Sequence, residues 1–337
     1  MNRRAFICGL SGPELTLGEA DFLAAAQPAG IILFARNVEN PEQVWRLIEA
    51  ARDAAGSPVL VLVDQEGGRV QRLAGPHWPR YPAARAFAHL GATDRERARQ
   101  AAWLCARAMA HDLRLLGFNT TCAPVLDVPV AGADNVIGDR AYGEDADTVI
   151  ELGGAVAEGL LAGGILPVMK HIPGHGRAMA DSHFALPVVD TPLAELEASD
   201  FASFRALKTL PMAMTAHVVF TAIDRHAPVT VSAKAIGEVI RGFIGFEGLL
   251  MSDDLSMRAL SGTLEERTRS CLAAGCDLAL HCNGKMQEMA AVAMSASYLE
   301  GAGLRRFEAA LAQLKEPEPF AAEEAEEARA EALAALA

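Results

Sequence analysis

The stretch ILPVMKH, residues 165–171, reads as a buried strand that runs straight into two ionisable residues, Lys170 and His171. Its apolar positions do not alternate with polar ones, which suits a strand covered on both faces. Seven more runs share this form: AFICGL from Ala5, GIILFA from Gly30, PVLVLVD from Pro58, NTTCAPV from Asn119, PMAMTAH from Pro211, GLLMSDD from Gly248 and CDLALHC from Cys276. Each precedes a longer segment of helical periodicity. Eight strand-helix units predict a parallel sheet closed on itself, a single (β/α)8 TIM-like barrel with helices outside.

Helix starts are expected where Asn40 precedes Pro41 and Thr191 precedes Pro192, a side-chain cap followed by proline in the first turn. The barrel is assigned to residues 1–315. From Glu316 the chain reads EPEPFAAEEAEEARAEALAALA, an Ala/Glu-rich segment of high helix propensity, expected over 316–337 as a solvated helix or a frayed acidic tail.

With 337 residues, 51% of them hydrophobic, the chain can bury one large core. A formal charge of −13 argues against nucleic acid and anionic membrane surfaces as partners. The two arginines near the start precede only six mostly apolar residues, too few for a signal-peptide core, and no run has the length of a membrane span. Six cysteines without a CxxC pair, set among apolar neighbours, suggest buried free thiols and a reducing, cytoplasmic compartment.

In a barrel enzyme the chemistry lies where strands end, and polar residues gather there: Asp64, Asp127, Lys170, His171, His217, Asp253 and Asp254. The densest segment is KHIPGHGRAMADSH, residues 170–183. Its glycines would let backbone approach a ligand closely. Three readings compete for it. His171 and His175 are spaced like metal ligands on a helix, but Pro173 and the glycines around it oppose a helix. PGHGR could cradle a phosphate with Arg177, but it lacks the Walker lysine and the following Ser or Thr. The remaining reading, that each histidine is a hydrogen-bonded structural residue, suits one isolated His better than the whole fourteen-residue constellation. No metal and no cofactor are expected.

These segments resemble the N-acetylglucosaminidase branch of glycoside hydrolase family 3. The likeness rests on VDQEGGRVQR (63–72), APVLDV (123–128), IGDRAYG (137–143), KHIPGHGRAMADSH (170–183) and SDDLSM (252–257), five motifs in order. The DSH ending separates this branch from the β-glucosidases of the family. By position, the resemblance implies that Asp64, Arg72, Arg140, Lys170 and His171 bind sugar, that His183 is the acid/base with Asp181 as its partner, and that Asp253 is the nucleophile. It further implies release of terminal N-acetylglucosamine with retention, from small carbohydrates such as 1,6-anhydro-N-acetylmuramoyl fragments of peptidoglycan.

The residue chemistry is consistent with these roles. Sugar hydroxyls need both acceptors such as Asp64 and donors such as Lys170 and the guanidiniums. An unperturbed imidazole titrates near neutral pH, as a proton donor should. Adjacent residues at a strand end project to opposite sides, so Asp254 is expected to face the barrel wall or a helix. Glu66 is expected to brace its loop, and the segment from Pro173 to Ser182 to be mobile without ligand. Other readings are nucleophilic attack by the substrate's own acetamido oxygen, partial release by phosphate, an inactive sugar-binding protein, and a metal-dependent amidohydrolase, for which the usual HxH pair is missing.

Overall fold

The computed structural model of the protein describes residues 3–56 and 58–336. All eight expected runs are strands: β1 (Arg4–Gly9), β2 (Pro28–Leu33), β3 (Leu60–Val63), β4 (Thr120–Thr121), β5 (Leu166–Ile172), β6 (Met212–Thr215), β7 (Leu249–Asp254) and β8 (Leu278–His281). They pair in chain order, every neighbour parallel, and β8 closes on β1 with Phe6 opposite Ala279 and Cys8 opposite His281. The fold is a single (β/α)8 barrel.

The near-continuous apolar runs are explained by burial on two sides. In β3, Leu60 and Leu62 point into the barrel with Ile7, Val168, Met212 and Met251, while Val61 and Val63 point outward to the helical layer. Both faces must then be apolar, and the polar alternation of a one-sided sheet is lost. A helix at Gly301–Leu311 carries Phe307 and Ala310 against the interior residues, next to Leu299, whose N–H donates to the Arg3 carbonyl just before β1. This apolar plug shuts the end where the strands begin. A pocket inside the barrel therefore opens at the strands' C-terminal end.

Helix Pro41–Ala55 starts as expected, with the Asn40 side chain accepting from the Gln43 N–H. Thr191 does not cap. Pro192, with φ −55° and ψ 140°, is still non-helical, so the helix Leu193–Ala198 starts one residue later and the Thr191 side chain lies out of reach of its first turn. No helix among the described residues is long and apolar enough to cross a membrane.

The Ala/Glu-rich segment forms a helix at Ala322–Ala334 that is docked, not solvated on all sides. Ala325, Ala328 and Ala332 are buried against the long helix Arg95–Leu115, and Arg97 pairs with Glu331 at 2.7 Å. Just before it, Arg107 lies 4.3 Å from the centre of the Phe320 ring and donates to the Glu318 carbonyl. The alanine stripe lets the helices approach closely while the glutamates stay in water. Ala328→Asp would place an unpaired carboxylate in that seam. We expect it to release the helix, seen as fast amide exchange across 322–334 with the barrel strands still protected. Unchanged protection of the helix would mean that the alanine seam does not hold it.

Candidate active site

At the open end of the barrel lies a cleft of about 170 Å³. Its first wall is a hairpin after β3, residues 65–71. Gln65 closes it by accepting from the N–H groups of Arg72 (2.9 Å) and Leu73 (3.1 Å) and donating to the Leu73 carbonyl. Gly67 has φ 95°, and a Cβ there would lie 2.2 Å from the Pro82 carbonyl oxygen, so glycine is required.

The hairpin delivers charges into the cleft. Glu66 holds Arg140 through two bonds of 2.8 Å and meets Lys170 Nζ at 2.6 Å. Asp64 takes Lys170 Nζ at 3.1 Å and Arg72 Nη2 at 3.2 Å. Burial alone would raise the pKa of both carboxyls. The flanking cations more than reverse this, holding Asp64 below its usual range and Glu66 at about 2. The same pairing pushes Lys170 up, against the effect of burial. Glu66 thus braces more than its loop, since it fixes Arg140 and Lys170 together.

Across the cleft, Asp253 is the penultimate residue of β7. Burial would raise its pKa, but the facing His217 and His171, the Asp254 N–H at 2.8 Å and Lys170 keep it below the usual value. Among the described residues no lysine or arginine forms an ion pair with it. His217, fully buried, donates from Nε2 to the Asp254 carbonyl and meets the Thr230 hydroxyl at Nδ1, 2.7 Å away, which fixes this strand end. Asp254 does not face the barrel wall or a helix. It lines the cleft as Asp253 does, because the pairing register with β8 shifts between Met251 and Asp254 and breaks strict alternation. Its oxygens are occupied: they accept from Ser256 Oγ (2.6 Å) and from the N–H groups of Ser256 and Cys282.

The segment after β5 has two halves. In the first, Asp127 accepts from the His171 and His175 N–H groups, and Gly176 lies so close to Val128 that a Cβ would sit 1.9 Å from its carbonyl oxygen. Gly176 thus serves backbone-to-backbone packing and not the approach of a ligand. Arg177 is bound to Asp200 (2.7 Å), Glu195 (2.9 Å) and Ser199 (3.0 Å), so it is not free to take a phosphate. His171 lies within β5 and His175 stands in a loop, so the helical metal-ligand reading fails. His175 donates to or accepts from Ser182 at 3.2 Å, and burial first, with neighbouring His171, lowers its pKa to about 4.

The second half carries the remaining candidates. His183 lines the cleft, exposed over 60% of its side chain, with Nδ1 2.6 Å from Asp181 Oδ1. Asp181 also accepts the His183 N–H, and these bonds outweigh burial to lower its pKa. Around them Met179, Phe184 and Val188 are exposed. Asp64, Arg72, Arg140, Lys170, His171, His183 and Asp253 all line this one cleft, and Asp181 stands behind His183. The sequence reading gave Asp127 no task and Glu66 a minor one. The clue to both was position, an acidic residue at or just past the end of an apolar run.

A barrel sealed at one end, with four carboxylates (Asp64, Glu66, Asp253, Asp254) against three cations (Arg72, Arg140, Lys170) at the other, defines an α/β-barrel enzyme whose cleft suits a polar ligand without negative charge. The glycosyl hydrolase family 3 N-terminal domain matches residues 14–315. A β-hexosaminidase of Alkalilimnicola ehrlichii is 40% identical over 279 residues, 82% of this chain and 79% of that protein. One from Pseudomonas aeruginosa is 38% identical over 84% of each chain. The crystal structure of NagZ from Neisseria gonorrhoeae superposes with a TM-score of 0.88 at 30% identity, covering 100% of this chain and 99% of that one, and the same protein is also known in complex with N-trifluoroacetyl-D-glucosamine. The chain belongs to glycoside hydrolase family 3, and within it to the β-N-acetylhexosaminidases.

Two predictions follow from this geometry. Without ligand, the amides of 171–178 should exchange slowly and those of 179–187 fast, so that mobility is confined to the half bearing His183; uniform exchange across both would contradict the division. Glu66, with its pKa depressed from 4.5 to about 2, contributes stability that is present above its unfolded value and lost as pH falls toward 2. Unfolding free energies measured by denaturant at several pH values should therefore fall less steeply on acidification for Glu66→Gln than for the native protein.

Proposed function

We propose that the protein is a retaining exo-β-N-acetylglucosaminidase in which Asp253 is the nucleophile and His183, held by Asp181, is the acid/base. The observation that carries this reading is the Asp181–His183 pair beside a cleft whose carboxylates have separate tasks. Asp64 and Glu66 are committed to cations, and Asp254 to Ser256 and Cys282. That leaves Asp253 ionised, half-buried and free of a cationic partner, as a nucleophile needs.

Two displacements at the anomeric carbon then give retention. In the first, an Asp253 oxygen bonds to that carbon, the glycosidic bond breaks, and the leaving oxygen takes the proton from His183. Because Asp181 occupies Nδ1, Nε2 is the atom that delivers it. In the second, water gives its proton to His183 and attacks the same carbon, which frees Asp253. Asp64 accepts from sugar hydroxyls, while Arg72, Arg140, Lys170 and His171 complete the ring of polar contacts. His183 is exposed in the free protein, so its half of the loop must fold over bound sugar before the proton can move.

For the substrate, we infer terminal N-acetylglucosamine on small peptidoglycan fragments of the 1,6-anhydro-N-acetylmuramoyl kind, in the cytoplasm. The small, one-ended cleft favours removal of a terminal sugar over cutting within a chain. The names of the relatives and the N-acylated glucosamine bound by one of them support the sugar, and the six free cysteines suit a reducing compartment.

One set of kinetic measurements tests this reading. The native protein should hydrolyse an aryl β-N-acetylglucosaminide and strongly disfavour the aryl β-glucoside. His183→Ala should slow an N-acetylglucosaminyl disaccharide by about 10²- to 10⁴-fold, the usual worth of general acid catalysis, but slow a nitrophenyl glycoside far less, since nitrophenolate leaves without a proton. Asp253→Ala should abolish turnover of both, and Asp254→Ala should not. Equal slowing of both leaving groups by His183→Ala would remove His183 from the acid role.

A further inference from the structure

Asp127 closes the APVLD run and is fully buried, yet among the described residues it pairs with no lysine or arginine. Three N–H donors surround it. Oδ1 accepts from the backbone of His171 (3.2 Å) and His175 (2.7 Å), and Oδ2 lies 2.7 Å from His171 Nδ1. Burial alone would raise its pKa, but the His171 ring and the His175 N–H hold it below the usual value, so the group is an ionised, pure acceptor. A neutral His171 facing such an acceptor must carry its hydrogen on Nδ1. Nε2 is then bare. His171 lines the cleft, and its Nε2 has no hydrogen-bond partner among the described residues.

We propose that Asp127 is a positioning residue for the glycosidase reaction: it fixes His171 as the Nδ1–H tautomer, so that Nε2 accepts a hydroxyl hydrogen from bound sugar. The proposal rests on the reading of His171 as a sugar-binding residue. The two oxygens of Asp127 do separable work. An asparagine oxygen could accept both backbone N–H groups and keep the root of the loop in place. Its NH2 would then point at His171 Nδ1, which has to become an acceptor, and the ring hydrogen moves to Nε2. The cleft would receive a donor where it had an acceptor, next to Lys170 and Arg140, which already donate.

The substitution Asp127→Asn therefore isolates the tautomer from the fold. With ¹⁵N-labelled histidine, NMR at about pH 8.5, two units above the ordinary imidazole pKa, reads which nitrogen of His171 is protonated. In the native protein Nδ1 should bear the hydrogen, and adding N-acetylglucosamine should shift the Nε2 resonance. In Asp127→Asn the hydrogen should appear on Nε2. Thermal stability and slow exchange of the His175 amide should be retained, while kcat/KM for an aryl β-N-acetylglucosaminide falls about 10- to 100-fold, the range for removing a partner that orients a working histidine. An unprotonated Nδ1 in the native protein overturns the proposal, as does a variant in which the tautomer changes and kcat/KM does not. If Asp127→Asn fails to fold, the native tautomer and its response to sugar still decide. If the native protein neither binds the sugar nor cleaves the aryl substrate, the functional reading fails, while the tautomer measurement stands by itself.

Discussion

Lys170 Nζ sits between Glu66 at 2.6 Å and Asp64 at 3.1 Å, with only 3% of its side chain exposed, and the rest of the cleft is arranged around that buried ammonium. Taking an ion out of water costs several kcal/mol, and the cost is offset only if opposite charges meet it with good geometry. The hairpin after β3 supplies them. In doing so it brings two carboxylates together, which would repel each other and protonate were Arg140 and Arg72 not placed on their far sides. The network ties β5 to the β3 hairpin and to the turn at Gly138–Arg140. Withdrawing Glu66 would leave Arg140, only 11% exposed, without its carboxylate, and Lys170 with Asp64 alone.

This mutual neutralisation also sets Asp253, the proposed nucleophile, apart from the other carboxylates. Asp253 stands across the cleft, ionised without a direct cationic partner, and its neighbour Asp254 is absorbed into the turn by Ser256 and Cys282. With three cations against four carboxylates, Asp254 included, the cleft has no excess positive charge to draw in phosphate. Hydroxyl-rich ligands, which both donate and accept, match it better.

Two histidine–aspartate pairs flank the site at different depths. His171 and Asp127 are buried under the first half of the loop, while His183 and Asp181 stand in its exposed second half. The same pairing of atoms, Nδ1 to carboxylate, thus serves opposite demands. The buried pair belongs to the fixed wall, where Asp127 also holds the backbone. The exposed pair rides on a segment with few apolar contacts, which suits the proton-donor role proposed for His183.

The sequence by itself determined the barrel. A strand covered on both faces must be apolar at nearly every position, so seven of the eight runs announced themselves without reference to the others, as did the ionisable residues that end them; the exception is β4, whose paired residues are Thr120–Thr121. The motifs carrying Asp64, Lys170, His183 and Asp253 were legible for the same reason, each being a local cluster. What lay outside its reach depended on partners far along the chain. Asp127 gained its place through residues 44 and 48 positions away, and Glu66 through Arg140, 74 positions away. The glycines of PGHGR look alike whether they approach a ligand or the Val128 carbonyl, and the alanines of the C-terminal helix look alike in solvent or in a seam. Asp254 was misjudged because a register shift against β8 is a property of the pair of strands. Local composition fixes whether a segment is buried and what it can offer chemically; which group it meets is set by closure of the barrel, and only there do charge, hydrogen-bond direction and packing acquire partners.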